Sequence, residues 1–440
     1  MPLSPTFSFA IPSLHDGLPL DCRIFHPPSA TPRPSGPPLP GHAPPLSLPI
    51  AIIAHPYAPL GGNYDDPIVC AAVREARDRG CVVGTFNFRG APSSKGRSSW
   101  TGRAECDDYV SAASCLAHYA YFILQLARAA GVGCEDGALA AGVADMSLDG
   151  SAASSIPLPT QAVLPEGTIP LPAPSPDNPD TVPFILAGYS YGSLITTHLP
   201  TPAAIFTRAY GPASGPALRR VAWDLAVVSA ARGHTGRAIP NAASFRPPPR
   251  PVYTSSHNTA ELAVTQIGLV FQPAYLLLSP LLAPVSTFTA IPFGTQALQR
   301  EKGALAKQLA EHPSLAVFGG EDGFTAARKV RAWAAGIEGP GSRFKAVEVP
   351  GAGHFWRENG VLGVLRGVVG GWIAGVLQGE TVLEVRGAGG REGNGGVMDG
   401  LGDRMQVAEA LVTMSGVEST APGRCPSRDG AGPCTELHSG

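Results

Sequence analysis

Two periodicities of apolar positions alternate along the chain and predict strands followed by helices. Residues 50–55 (IAIIAH) form a short, continuous, largely β-branched apolar run, which is typical of a strand buried on both faces. Helical spacing follows near residues 67–79, and a second buried run lies within residues 80–90. A long helical pattern covers residues 104–130. This order of strand, helix, strand and helix predicts a parallel sheet with crossover connections.

The same alternation appears at both ends of the chain. The runs TFSFAI and LPLDCRIF flank Asp16-Gly17, which predicts an antiparallel hairpin at the N-terminus. Buried strands are predicted within PAYLLLSPLLAP, SLAVFGGEDG and RFKAVEVPGAGHF, and helices lie between and after them. The first of these runs is apolar enough to suggest a membrane span. Its prolines would interrupt a helix, however, so a core strand is the better interpretation.

Several stretches break the alternation and define the predicted domain organisation. We expect one folded domain over residues 3–378 and a disordered, glycine-rich tail over residues 379–440. The proline-rich residues 27–48 and 131–180 are predicted to be disordered insertions. Residues 201–272 form another departure, which contains a helical pattern around Trp223.

Composition restricts the partners and the compartment. Charged residues make up 15% of the chain and apolar residues 44%, so a sizeable core is possible. The net charge of −2 offers no basic field for nucleic acid or anionic lipid, and no signal peptide is apparent. We therefore expect a cytoplasmic protein without stable membrane insertion. The predicted core elements contain four cysteines that we expect to be reduced and buried: Cys70, Cys81, Cys106 and Cys115.

The stretch LAGYSYGS contains a candidate nucleophile, Ser190. A glycine-rich chain can contain such a motif by chance. The predicted elements on either side therefore decide whether Ser190 is a nucleophile. VPFILAGYS reads as a strand and YGSLITTHL as a helix, which is the strand–turn–helix order of a nucleophile elbow. Gly188 and Gly192 would allow the strand and the helix to approach closely around a strained serine backbone. The alternative is an ordinary tight βα turn.

A nucleophilic serine needs a base, and the base needs an orienting acid. Asp322 follows one predicted strand and His354 follows another, at the edge where open α/β sheets place their ligands. Taken singly, Asp322 could cap a helix and His354 could be a loop residue. Glu321, directly before Asp322, is a second candidate for the acid. Ser190, Asp322 and His354 occur along the chain in the order Ser, Asp, His.

The remaining requirement is an oxyanion hole made of two backbone N–H groups. Tyr191, directly after the candidate nucleophile, would supply one donor. The other would come from the loop that starts His55-Pro56-Tyr57. Proline has no N–H, so Tyr57 is the first candidate there, and His55 is expected to brace the loop.

At these residues the chain resembles the α/β-hydrolase superfamily. The resemblance rests on AHPYAPLGGNYDD, GTFNFRGAPSSKGRSSW, LAGYSYGS, FGGEDGF and GAGHFW, and it covers the folded parts of residues 3–378. It is closest to a branch of small predicted hydrolases of bacteria and fungi with an HP oxyanion loop. It implies an eight-stranded, mostly parallel sheet flanked by helices, with residues 201–272 as a cap. Arg89 and Gly90 match the RG segment of such families, and we expect them to shape a loop.

The resemblance implies a serine hydrolase that acts on a small-molecule acyl substrate without metal or organic cofactor. An ester or thioester bond is preferred to an amide bond as the bond that it cleaves. Ser190, Asp322 and His354 would be catalytic, and the Tyr57 and Tyr191 amides would hold the oxyanion. Two alternatives stay open. One is a non-catalytic ligand-binding or scaffold protein with the same fold, and the other is a peripheral membrane lipase. The sequence leaves the oligomeric state and the acyl chain length undetermined.

Overall fold

A ten-stranded sheet forms the centre of the computed structural model, and eight of its strands follow one another in a continuous order. The structure describes residues 3–28, 32–37, 43–99, 102–131, 169–170, 176–235, 238–247, 260–282 and 295–379. These eight strands are β1 (Phe7–Pro12), β2 (Pro19–Phe25), β3 (Ile50–Ala54), β4 (Val82–Phe86), β5 (Asp180–Tyr189), β6 (Leu269–Leu278), β7 (Ser314–Gly319) and β8 (Phe344–Val349). Their order across the sheet is β1-β2-β4-β3-β5-β6-β7-β8. β2 is antiparallel to both of its neighbours, and the other adjacent pairs are parallel.

Helices cover both faces of this sheet. They are α1 (Pro67–Asp78), α2 (Arg103–Ala129), α3 (Tyr191–Thr197), α4 (Pro202–Arg208), α5 (Gly215–Ala231), α6 (Ala260–Gln266), α7 (Thr295–Glu311), α8 (Ala327–Ala335) and α9 (Val361–Gln378). Strand β3 shows how the two layers are separated, because successive side chains point to opposite faces. Ile50 and Ile52 pack in the core with α2, whereas Ala51 and Ile53 pack in the core with α1 and α9. The mostly parallel sheet between helical layers confirms the predicted α/β-hydrolase fold.

Some element boundaries differ from the predicted ones. β6 begins at Leu269, four residues before the predicted run, since its first residues pair with the start of β5. α8 begins at Ala327 rather than near Phe324, because Asp322 Oδ1 accepts hydrogen bonds from the amides that follow it and holds a turn there. The short helices α4 and α6 were not predicted from the sequence.

Part of the predicted disordered insertion at residues 27–48 is ordered. Arg33–Pro34 pairs with Leu46–Ser47. The amide of Leu46 donates to Asp180 Oδ1 at 2.7 Å, and Leu46 and Leu48 are both buried in the core. The structure therefore differs from the prediction over residues 43–48, because two leucines at the end of the proline-rich stretch bury apolar surface against the sheet.

Residues 132–168 and 171–175 lie outside the described ranges, and so does the predicted tail from residue 380 onward. The two ends of the predicted insertion at 131–180 are nevertheless described. Arg128, in the last turn of α2, forms a buried ion pair with Asp180 at the start of β5. The ion pair therefore joins the helix and the strand between which the insertion lies.

The described part of residues 201–272 contains α4, α5, α6 and the first residues of β6. Helix α5 packs along α2, where Trp223 meets Phe122 edge-on with ring centroids 5.3 Å apart. Trp223 is thus a core residue of the helical layer. The prediction that this segment also covers Ser190 is not tested by these contacts and stays a prediction.

Two described helices, α2 and α9, are long and apolar enough to cross a membrane. The apolar window of α2 is completely buried within the protein, as in a core helix, whereas only 39% of the corresponding window of α9 is buried. The apolar run YLLL belongs to strand β6 and is buried. Cys81 and Cys115 are buried, as predicted, whereas Cys70 and Cys106 are only half-buried.

Candidate active site

Ser190 occupies a strained turn between β5 and α3. Its backbone φ angle is +55°, a left-handed value that residues other than glycine rarely adopt. A Cβ atom added to Gly188 would lie 2.2 Å from the backbone of Gly192, and one added to Gly192 would lie 2.6 Å from the carbonyl oxygen of Ala54. Both glycines are therefore required by close backbone approach, as the sequence indicated. The Ser190 amide donates to the carbonyl of Leu278 at 2.8 Å, which ties the turn to the end of β6.

The structure brings Ser190, His354 and Asp322 together in one hydrogen-bonded chain. Ser190 Oγ lies 2.8 Å from His354 Nε2, across 164 residues of sequence. On the other side of the ring, His354 Nδ1 lies 2.7 Å from Asp322 Oδ2. The three residues are 7%, 4% and 6% exposed, so solvent competes little with these hydrogen bonds. The serine hydroxyl can donate to Nε2 when Nδ1 carries the ring proton.

Asp322 is held in place from two directions. Its Oδ1 accepts hydrogen bonds from the amides of Phe324 and Thr325 at 2.8 and 2.9 Å, while Oδ2 faces His354. Burial acts to raise the pKa of this carboxyl, but the hydrogen bonds and the attraction to His354 outweigh burial and lower the pKa below its usual value. Asp322 is therefore ionised at neutral pH. Glu321 is exposed, and only its backbone amide joins the neighbouring loop, through the carbonyl of Ala352.

The backbone of His354 is braced by residues that sequence reasoning missed. Tyr189 donates its hydroxyl to the His354 carbonyl at 2.8 Å, and Ser279 Oγ lies 3.5 Å from the same oxygen. The indole N–H of Trp356 donates to Ser279 Oγ at 3.0 Å. Ser279 and Trp356 both have positive φ, +44° and +54°. The one available sequence signal was the position of Ser279 directly after an apolar strand.

His55 braces the loop after β3, as predicted. Its Nδ1–H donates to the Pro56 carbonyl at 2.5 Å, and Nε2 accepts the amide of Phe88 at 2.8 Å. Burial lowers the pKa of His55 to about 4, so the ring is neutral and both nitrogens are used structurally. The Tyr57 and Tyr191 rings lie 5.0 Å apart, so this loop meets the turn that follows Ser190. The two backbone amides predicted to form an oxyanion hole therefore belong to adjoining segments.

Arg89 has a structural environment, in agreement with its predicted role in a loop. Its guanidinium binds Asp108 through two nitrogens, at 2.6 and 2.8 Å, and reaches Asp16 at 2.9 Å. Asp108 lies on α2, and Asp16 lies in the turn of the N-terminal hairpin. Arg89 thus joins the loop after β4 to a helix and to the hairpin. None of its described partners belongs to the hydrogen-bonded chain of Ser190, His354 and Asp322.

No protein-family model matches the chain, and no curated protein matches it in sequence. Solved structures are similar in fold. A putative α/β hydrolase from Agrobacterium tumefaciens, ATU1826, is 16% identical, with 86% of this chain and 100% of that chain covered and a TM-score of 0.39. XC6422 from Xanthomonas campestris, described as an α/β serine hydrolase without a lid, is 16% identical over 85% and 96% of the two chains, with a TM-score of 0.37. Est1E from Butyrivibrio proteoclasticus is 10% identical over 85% and 100%, also with a TM-score of 0.37.

Proposed function

We propose that the protein is a serine hydrolase that cleaves carboxylic esters through an acyl-enzyme intermediate. The observation that carries this proposal is the continuous hydrogen-bonded chain from Ser190 Oγ through His354 to an ionised Asp322. Its serine stands on a backbone with φ of +55° between two glycines that no other residue could replace. An ordinary βα turn requires neither feature. The arrangement has the roles and the geometry of a catalytic triad on a nucleophile elbow.

Each residue has a definite role in the proposed reaction. His354 takes the proton of Ser190 Oγ through Nε2 while that oxygen attacks the ester carbonyl carbon. Asp322 keeps the ring proton on Nδ1 and stabilises the imidazolium that forms. The negative oxygen of the tetrahedral intermediate is held by the backbone amides of Tyr57 and Tyr191. His354 then protonates the departing alcohol, and a water activated by the same ring releases the acid from Ser190.

Labelling with a fluorophosphonate probe tests the nucleophile. Wild-type protein should be labelled at Ser190, and Ser190→Ala should not be labelled. Ser193→Ala is the matched control, because Ser193 lies on the same short helix and its hydroxyl binds only the Ser190 carbonyl. It should still be labelled. Labelling of another serine, or of none in folded protein, would favour the non-catalytic alternative with the same fold.

Turnover distinguishes the substrate classes. Nitrophenyl esters of graded acyl length and the corresponding acyl-CoA thioesters should be compared at equal concentration, since the proposal favours esters over thioesters and amides. In Ser190→Ala, kcat should fall by a factor on the order of 10⁶. The residual rate would then come from binding and from the oxyanion donors.

The lipase alternative requires an apolar surface that can meet a membrane. Residues 274–278 of β6 are buried and offer no apolar surface to lipid. Helix α9 has a half-buried apolar side that includes Leu362, Val364 and Val368. We propose a protein without stable membrane insertion, in the cytoplasm. Flotation with neutral and anionic liposomes tests this proposal, and co-flotation that Val364→Lys abolishes would favour the lipase.

A further inference from the structure

Exposed apolar side chains are concentrated around the candidate site. Within the described residues, four large apolar side chains are exposed: Leu60 (75%), Phe355 (51%), Leu262 (47%) and Phe324 (39%). Leu60 lies in the loop after β3, Phe324 lies two residues after Asp322, and Phe355 directly follows His354. Leu262, on α6, is the one of the four that lies outside the loops of the site. Exposed apolar surface gathered at one place is typical of a binding site.

Phe324 and Phe355 contact the ring of His354. Phe324 stacks on it with centroids 4.3 Å apart and planes inclined by 30°, and Phe355 meets it edge-on at 5.3 Å and 89°. The two phenyl rings also meet each other edge-on at 5.5 Å. We call these two phenylalanines, which extend the histidine ring toward solvent, the aromatic platform.

The chemistry of the site determines which part of a substrate lies beside the aromatic platform. When the tetrahedral intermediate collapses, the bond between the carbonyl carbon and the alcohol oxygen breaks and its electron pair stays on that oxygen. The proton that His354 took from Ser190 passes from Nε2 to the same oxygen. The alcohol oxygen must therefore come within hydrogen-bond distance of Nε2. The oxyanion, by contrast, faces the Tyr57 and Tyr191 amides.

We infer, on the basis of the serine hydrolase function proposed above, that the aromatic platform binds the alcohol portion of the substrate and that this alcohol is uncharged and aromatic. A phenyl group can pack offset or edge-on against Phe324 and Phe355, whereas a methyl group covers little of either ring. The guanidinium carbon of Arg357 lies 5.3 Å from the centre of the Phe355 ring. A positive charge at that position disfavours a cationic alcohol.

Two ester series separate the alcohol side from the acyl side. The alcohol series contains methyl, butyl and benzyl acetate, and the acyl series contains methyl acetate, butyrate and phenylacetate. Benzyl alcohol and methanol are similar in acidity, and the rates of hydroxide hydrolysis correct for the remaining difference in reactivity. We expect corrected kcat/KM for benzyl acetate to exceed that for methyl acetate by about tenfold or more, with a smaller range in the acyl series.

Variants of the full-length chain locate the preference. Phe355→Ala and Phe324→Ala should each reduce the ratio of corrected kcat/KM for benzyl acetate to that for methyl acetate to about threefold or less, since the packing partner is lost. Phe355→Tyr keeps the ring and should keep the ratio. Leu262→Ala is the matched control, because it removes a comparably exposed apolar side chain on α6. Its ratio should equal that of the wild type.

The outcomes separate this inference from the proposed function. The inference about the aromatic platform is overturned if both alanine variants keep the benzyl preference. It is also overturned if wild-type protein is labelled at Ser190 but shows no benzyl preference. Neither result contradicts the proposed hydrolase function. A larger range in the acyl series than in the alcohol series overturns the inference about the aromatic platform as well. If neither labelling nor turnover depends on Ser190, the proposed serine hydrolase function is itself refuted.

Discussion

Asp322 presents one carboxylate oxygen to His354 Nδ1, at 2.7 Å, and turns the other toward two backbone amides of its own loop. The carboxylate can therefore orient the imidazole without freedom to rotate away. The adjacent Glu321 is exposed, although the sequence places both acids at the same strand end. Burial and hydrogen bonding together single out Asp322 as the partner of the histidine.

The two acids can be tested by paired substitutions. Asp322→Asn should lower kcat by about 10⁴ with little change in KM, because the amide favours the wrong histidine tautomer and does not act on substrate binding. Glu321→Gln should stay within about tenfold of wild type, since no described side-chain contact links it to His354. Steady-state kinetics on one nitrophenyl ester measures both variants. The opposite ranking would make Glu321 the functional acid.

Ser279 and Trp356 are predicted to position His354 rather than to take part in the chemistry. Trp356→Phe removes the indole donor and should lower kcat and the fluorophosphonate labelling rate by about tenfold to a hundredfold, with KM little changed. A double-mutant cycle with Ser279→Ala should show a coupling of about 1 kcal/mol in the free energy of unfolding. Loss of stability without loss of labelling rate would indicate a purely structural contact.

The Arg89 ion pairs predict a stability difference between two aspartates. Asp108→Asn should lower the free energy of unfolding by about 3–5 kcal/mol, because it leaves the nearly buried Arg89 guanidinium without its main partner. Asp16→Asn should lower the free energy of unfolding by less than about 1 kcal/mol, because Asp16 is 34% exposed. Urea denaturation measures both. Equal losses would mean that the hairpin turn holds the guanidinium as strongly as α2 does.

Buried His118 predicts that the protein becomes less stable in mild acid. Burial lowers the pKa of His118 from 6.5 to about 3, and the ring stacks on Phe206 with centroids 3.9 Å apart. Below pH 6.5 the unfolded chain binds a proton that the folded chain does not bind, so the free energy of unfolding falls as the pH falls toward 3.

The substitution His118→Phe removes that proton while keeping an aromatic ring. The slope of the free energy of unfolding against pH should fall by about 1.4 kcal/mol per pH unit between about pH 4.5 and 5.5. Urea denaturation at several pH values gives the slope for both proteins. Identical slopes would mean that His118 takes up a proton equally in the folded and the unfolded chain.

Much of the fold and of the candidate site follows from local pattern. Apolar runs and helical spacing predicted each strand of the main sheet and the longer helices. Burial of one face leaves a period in the sequence, and burial of both faces of a strand leaves a continuous apolar run. The elbow pattern and the rule that ligands lie past the carboxyl ends of parallel strands then selected Ser190, His354 and the adjacent acids Glu321 and Asp322. The structure places His354 within hydrogen-bond distance of both Ser190 and Asp322.

The sequence by itself thus determined the order of the elements, the class of fold and the positions from which the site is built. Only the tertiary structure decided that Trp223 faces α2, that Leu46 enters the core and that Asp322 rather than Glu321 meets the histidine. It alone showed the bracing of His354 by Ser279 and Trp356 and the stacking of Phe324 on its ring. These contacts join residues far apart in sequence or depend on single loop conformations. No periodicity records them, because a loop side chain takes its direction from the neighbours that the folded chain brings against it.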